Sequence, residues 1–452
     1  MFGLSMSEDQ ALALKAATEV VRHLVDAGHE AVFAGGCVRD RLLGKSPKDY
    51  DIATSARPEQ VQRLFKHSVA VGAHFGVIIV RSRGIPFDVA TFRRDGAYLD
   101  GRHPESVEFS TAEEDARRRD FTINGLFCDP LRDEIIDFVG GRVDLERKVI
   151  RAIGDPLERF REDQLRLLRA VRFATVLGFE VEAATWEALV ASAGMIQSVS
   201  PERIREELAK ILAHPRRVAG FDMLVSSGLM QEILPEILRL KGCEQPPQFH
   251  PEGDVFVHTR IMLELLQPDA PLPLVLGVLF HDIAKPDTFA VDETGRIRFS
   301  GHDRVGAVKT EEILRRLKFA NAVIEPTVEA VANHMVFKDV KNMRVSRLKR
   351  FMARPGFDME MELHRVDCSS SHGHLDNYEF LRQRQQDFAA EPLVPEPLLT
   401  GRDVMKLGIA AGPKLGEILR QVQDMQLEGS LRNSEEALAW VKMHANDPGN
   451  SA

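Results

Sequence analysis

FAGGCVRDRLLG (33–44), followed closely by KDYDI (48–52), is the stretch on which the reading of this 452-residue chain turns. A short apolar run meets two glycines and then a helical pattern, the layout of a strand, a tight turn and a helix. Paired glycines there let backbone N–H groups approach an anion closely, and the helix N-terminus adds partial positive charge. Just beyond, Asp49 and Asp51 alternate about Tyr50, so on a strand both carboxylates face the same way. Carboxylates that close repel unless something positive sits between them. Mg²⁺ suits that position, because it takes oxygen ligands and completes its shell with water and substrate phosphates. Asp88, in PFDVATF (86–92), is a candidate third carboxylate.

Around this centre lie further β-like runs, EAVFAG (30–35), YDIAT (50–54), FGVIIV (75–80) and VEFS (107–110), with helical patterns such as PEQVQRLF between some of them. Residues 11–28 carry apolar positions at helical spacing and stop at Gly28. The mixture predicts an α+β unit with a small β-sheet, ending near residue 150. From Pro156 the pattern is helical almost to the end. PLERFREDQLRLLRAVRFATVLG (156–178) reads as one helix with proline in its first turn and Gly178 at its close, and PERIREELAKIL (201–212) repeats the design. Proline-rich breaks at 241–253 and 389–401 mark junctions, the second preceding two short helices. The expected domains are therefore 1–150, 151–242, 243–390 and 391–452.

Composition narrows the class. With 59 basic and 68 acidic residues the net charge is −9, so any polyanion must be held by local basic patches. No apolar run approaches the ~18 residues of a membrane span, and the first ten residues lack the features of a secretion signal. Four well-separated cysteines argue against a disulfide scaffold or zinc ribbon, and the expected compartment is the reducing cytoplasm. Nothing in the sequence sets the number of subunits.

Two segments sharpen the chemistry. ARRRDFTINGLF (116–127) places Arg118, Arg119 and Asp120 before an apolar run, and arginine forks suit phosphate oxygens. EDQLRLLRAVRFA (162–174) sets Asp163 and Arg166 one turn apart. The pair reads either as a surface ion pair or as a reader of a base edge. In the second reading the carboxylate accepts from an exocyclic amine and the guanidinium donates to a ring acceptor. Cytosine and adenine present that amine; uracil does not.

Taken in order, GGCVRDRLLG, KDYDI, DGRHP, RRDFTIN and EDQLRLLRAVRFA resemble the class II tRNA nucleotidyltransferase and bacterial poly(A) polymerase family. The resemblance is strong over roughly residues 20–240. It implies a nucleotidyltransferase head followed by a helical neck and body. Gly35 and Gly36 would lie against the triphosphate, and Asp49 and Asp51 would carry the metals, with Asp88 a third catalytic carboxylate. Arg118, Arg119 and Asp120 would contact ribose and phosphates, Asp163 with Arg166 would read the base, and Arg39, Asn124 and Arg169 are further nucleotide-binding candidates. The implied reaction adds or repairs the 3′-terminal CCA of tRNA from CTP and ATP with Mg²⁺. The segment 92–109 resembles the loop tied to switching from C to A addition, with its DGR (Asp100, Gly101, Arg102) intact. A poly(A) polymerase is the nearest rival, but VGAHFGVIIV (71–80) lacks the basic pair found in that branch. An A-adding enzyme that works with a CC-adding partner stays open.

A second constellation runs through His250, His258, His281, Asp282, His302, His334 and Asp367. Imidazole and carboxylate ligands suit Mn²⁺, Fe²⁺, Ni²⁺ or Zn²⁺. The order H…HD…H…H…D resembles the HD phosphohydrolase superfamily. That resemblance implies His258, His281, Asp282 and Asp367 at one metal, with His302 and His334 supporting a second, and a secondary or even principal phosphohydrolase activity. VKNMRVSRLKRFMARP (340–355) has six basic residues and no acidic one, which reads as a phosphate-tracking stretch or a solvated helix face.

Overall fold

The computed structural model describes residues 7–72, 76–96, 107–248, 250–390 and 392–444. The chain forms two compact units, Met1–Leu238 with Arg316–Lys318, and Arg239–Arg315 with Phe319–Ala452. The four expected segments thus group in pairs.

In the first unit, α1 (Glu8–Asp26) starts at a capping box between Ser7 and Gln10 and ends before Gly28, whose φ is +86°. It covers a sheet built from β1 (Ala31–Ala34), β2 (Ile52–Thr54), β3 (Ser68–Gly72), β4 (Val77–Ser82), β5 (Ile85–Thr91), β8 (Leu126–Asp129) and β9 (Glu134–Asp137). Their order across the sheet is β3-β4-β5-β2-β1-β8-β9. The four residues of β1 are all buried because both faces are covered. Ala31 and Phe33 pack with α1, and Val32 and Ala34 with Phe92, Ala116 and Phe127. A separate hairpin pairs β6 (Arg93–Asp95) with β7 (Val107–Phe109), and α4 (Ala112–Arg117) follows. The DGR triplet between the hairpin strands lies outside the described residues. Of the seven strands, β3, β8 and β9 carry no run that stood out in the sequence.

The helix expected over 156–178 is two helices, Pro156–Glu162 and Arg166–Leu177. Asp163 breaks it with φ −139° and ψ 101°. Its side chain accepts the Leu165 N–H at 3.2 Å and its carbonyl the Arg166 N–H at 2.9 Å, a local turn that competes with the helical ladder. Gly178 closes the second helix in the left-handed conformation as expected.

In the second unit the helices are separated by a hairpin, Phe289–Val291 with Ile297–Phe299. The helix Leu272–Phe280 ends on the His281-Asp282 pair. The tail holds three helices rather than two, Gly401–Met405, Pro413–Leu427 and Ser434–His444, closed on Val404, Ile418, Val422, Ala437 and Val441. Among the described residues no helix is long and apolar enough to cross a membrane.

Candidate active site

Gly35 sits between β1 and α2 (Gly36–Leu42) at φ +70° and donates its N–H to the Leu126 carbonyl at 2.9 Å. A Cβ there would lie 2.8 Å from Arg119 Nη1. Backbone conformation and close approach both demand glycine.

The carboxylates follow. Tyr50 is buried while Asp49 and Asp51 are exposed, so the predicted alternation holds, although β2 begins only at Ile52. The parallel register Ile52↔Val89 sets Asp51 beside Asp88 on β5. Partial burial pushes the Asp51 carboxyl above its ordinary range; Arg119 opposes this, and the Asp88 and Asp49 charges add to it. Three acidic groups thus share one field. An all-oxygen donor set under mutual repulsion fits Mg²⁺.

Arg118 and Arg119 are aimed by one residue that sequence reasoning missed. Asp115 on α4 is 1% exposed; its Oδ1 accepts from Arg118 at 2.9 and 2.7 Å, and its Oδ2 from Arg119 at 3.2 and 3.0 Å. Burial opposes its charge, yet the two guanidiniums hold it below the ordinary carboxylate range. The i,i+3 and i,i+4 spacing was available as a signal.

Asp120 spends both oxygens inside the protein. Its Oδ1 accepts from the Phe121 N–H (2.8 Å) and Asn124 Nδ2 (3.0 Å), and its Oδ2 from Arg169 (2.8 and 2.6 Å). Burial resists this charge, but Arg169 and Asn124 bring its pKa down to about 2. Each Asp120 oxygen thus accepts two bonds within the protein, and Asp120 anchors Arg169 while lining the cleft. Asn124 in turn accepts from Arg39 at 2.7 Å. Arg39, Arg169 and Arg172 surround the Phe173 ring at 5.2, 5.2 and 3.9 Å from its centroid, and Arg172 is tied to buried Glu207. Arg172 and Phe173 continue the face of Arg166 and Arg169, a spacing that could have flagged them.

Asp163 and Arg166 do not pair with each other. Both Asp163 oxygens accept from Arg203 at 3.0 Å, while Arg166 donates to Glu162 (2.7 Å) and to the carbonyls of Arg159 and Arg118 (3.0 Å each). The surface-pair reading is thereby excluded. All the nucleotide-binding residues expected from the sequence line one cleft of about 810 Å³ with Asp49 and Asp51, and Arg172, Phe173 and Lys210 complete its wall. Asp88 joins this group through Asp51.

Comparison with known proteins agrees with that geometry. Residues 31–151 match the poly A polymerase head domain, 178–240 the RNA- and SrmB-binding region of polymerase A, and 303–441 domain 2 of tRNA nucleotidyltransferases. An A-adding tRNA nucleotidyltransferase of Deinococcus radiodurans is 33% identical over 433 residues, 92% of this chain and 96% of that protein. This chain belongs to the tRNA nucleotidyltransferase family. A CCA-adding enzyme of Geobacillus kaustophilus is 46% identical over 211 residues, 46% of this chain and 52% of the relative, so the match spans about half the length of that protein. The crystal structure of the Bacillus stearothermophilus CCA-adding enzyme in complex with CTP is 27% identical, with a TM-score of 0.70 over 97% of this chain and 98% of that one.

The second unit of this nucleotidyltransferase gathers the histidine constellation. His281, His302 and His334 each set Nδ1 against a carbonyl three residues back, at 2.9, 2.7 and 2.6 Å. A carbonyl partner requires the proton on Nδ1 and leaves the Nε2 lone pair free to ligate. The Nε2 atoms of His302 and His334 face each other at 3.0 Å, with Asp282 Oδ1 at 3.3 and 3.9 Å from them. Two lone pairs in that arrangement repel unless a proton or cation lies between them. Burial and the neighbouring His281 push the His334 pKa down to about 4, so a neutral imidazole is the resting form. His258 differs. Burial disfavours its charge, but Asp367 at 3.1 Å and Glu252 at 2.7 Å raise its pKa to about 9, so metal and proton compete there. Among the described residues three ligand triads result: His258–His281–Asp282 and Asp282–His302–His334, which share Asp282, and His250–Glu252–His258, which shares His258 with the first. Asp367 reaches them through His258, and Lys285 Nζ lies 2.6 Å from Asp282. His250 and Glu252 form a flank that was not among the expected ligands.

Proposed function

We propose that this nucleotidyltransferase builds or repairs the 3′-terminal CCA of tRNA from CTP and ATP without a nucleic-acid template. The observation that carries it is the single cleft uniting the Gly35–Gly36 turn, the Asp49 and Asp51 carboxylates and Asp163. Asp49 and Asp51, with Asp88 beside them, would hold Mg²⁺, which when bound activates an attacking hydroxyl and stabilises a leaving pyrophosphate. Arg118 and Arg119, aimed by Asp115, offer forks to the triphosphate over the glycine turn. Arg166 uses three of its five N–H donors within the protein, which leaves two for a base. Asp163 Oδ1 already accepts from the Leu165 N–H and from Arg203, so Oδ2 keeps the lone pair that accepts from the exocyclic amine of cytosine or adenine; uracil presents a carbonyl oxygen at that position instead. Action on tRNA supports the cytoplasm expected from the sequence.

The test uses a tRNA transcript lacking its last three nucleotides, with Mg²⁺ and CTP, ATP or both, read on a sequencing gel. Two additions with CTP alone and a stop after three with both support CCA synthesis. Growth only on a substrate already ending in CC would make this an A-adding enzyme, a second reading favoured by the full-length likeness to the Deinococcus protein. Long A tracts would make it a poly(A) polymerase.

For the second unit, the facing Nε2 atoms of His302 and His334 support an HD-type site for one or two divalent transition ions, Mn²⁺, Fe²⁺, Ni²⁺ or Zn²⁺. Bound there, such an ion supplies activated water for phosphate-ester hydrolysis. Hydrolysis of p-nitrophenyl phosphate on adding each ion in turn tests this reading, and inactivity with all four refutes it.

A further inference from the structure

A polar groove of about 790 Å³ runs beside the histidine cluster, and it shares Met335 and Lys338 with the cluster's own cavity of about 370 Å³. Four cations along this path, Arg296, Lys338, Arg344 and Arg347, are exposed, and among the described residues their side chains have no partner. Their neighbours are committed elsewhere, Arg350 to Asp424, Lys341 to Asp376 and Arg354 to Glu360. Part of the basic run 340–355 is therefore neutralised and part is left free along one path. Unpaired guanidiniums next to a phosphate-ester site suit further phosphates spaced along a chain rather than a single small ester. Asp303 and Asp339 face the same groove. A carboxylate repels a phosphate but accepts from a ribose 2′-hydroxyl, which favours RNA over DNA.

We propose that this groove binds the backbone of a single RNA strand, with the strand's end at the histidine cluster, as a second RNA site separate from the catalytic cleft of the head. The placement of the strand's end rests on the HD-type reading; the groove itself does not.

The experiment compares the full-length chain with an Arg344→Ala/Arg347→Ala variant in the presence of Mn²⁺. One substrate is p-nitrophenyl phosphate. The other is a short single-stranded RNA ending in a 3′-phosphate, which the head cannot extend. The variant should turn over the small ester normally, while its KM for the RNA rises. Two lost phosphate contacts lower the salt slope by about 1.4, or about 25-fold in affinity near 0.1 M salt. Normal small-ester turnover with an unchanged RNA KM overturns the groove and leaves the HD-type reading standing. If the unaltered chain hydrolyses neither substrate with Mn²⁺ or with Fe²⁺, Ni²⁺ or Zn²⁺ in its place, the HD-type reading fails. Fluorescence anisotropy of the same RNA then decides the groove: a shallower salt slope in the variant supports it, and an identical slope overturns it. A DNA strand of the same sequence that competes as well as the RNA overturns the assignment to RNA.

Discussion

Replacing Asp120 with asparagine keeps the shape of the side chain and removes the charge on which Arg169 rests. In the native protein Oδ2 accepts two bonds from Arg169, at 2.8 and 2.6 Å, and the pKa stands at about 2 against an ordinary value of 3.8. At about 1.4 kcal/mol per unit, that depression is worth about 2 kcal/mol of stability at neutral pH. Because the folded-state pKa is lowered, the contribution is complete well above pH 4 and disappears as pH falls through about 2; roughly half is left at pH 3. The two tryptophans, Trp186 and Trp440, fall one in each unit, so a Trp440→Phe background lets urea unfolding of the first unit be followed through Trp186. Asp120→Asn should lower that unit's stability by about 2 kcal/mol at pH 7 and by about half as much at pH 3. Arg169, losing its anchor on the cleft wall, should also reduce kcat/KM for CTP by about 10²-fold, the scale expected of a misplacement of about 1 Å. Equal stability at pH 7, or a difference that does not shrink towards pH 3, would refute the reasoning.

Other outcomes follow from the same geometry. Gly35→Ala meets both a positive φ and the Arg119 guanidinium, so it should cost about 1–2 kcal/mol in stability and raise the KM for CTP; a native KM would remove the close approach from the argument. Asp51→Asn should abolish CTP incorporation while equilibrium binding of CTP persists, and near-normal incorporation would sink the metal assignment. Arg203→Ala releases the Asp163 carboxylate, and misincorporation of UTP should rise about tenfold, for a loss of about 1.4 kcal/mol in discrimination. His302→Ala with His334→Ala should lower bound transition metal by one ion per chain in elemental analysis without changing CTP addition; unchanged metal content would contradict the facing-lone-pair argument.

Local chemistry made the catalytic centre legible in the sequence. A Gly-Gly turn, carboxylates two apart and paired arginines each state their function within a few residues, because conformation, alternation and charge act at short range. The helix stops at Gly28 and Gly178 were readable for the same reason. The misreadings share the opposite origin. The strands β3, β8 and β9 are short and owe their identity to partners far along the chain. The helix break at Asp163 comes from a side chain competing with its own backbone, which periodicity does not register. Whether Asp120 touches a substrate or holds Arg169 depends on a residue 49 positions away. The choice of Arg203, rather than Arg166, as the partner of Asp163 likewise depends on a residue 40 positions away. Sequence by itself determined which groups this nucleotidyltransferase brings to its chemistry. Only the tertiary structure decided which of them stay free for a ligand, because a buried charge must first be satisfied by whichever neighbour packing supplies.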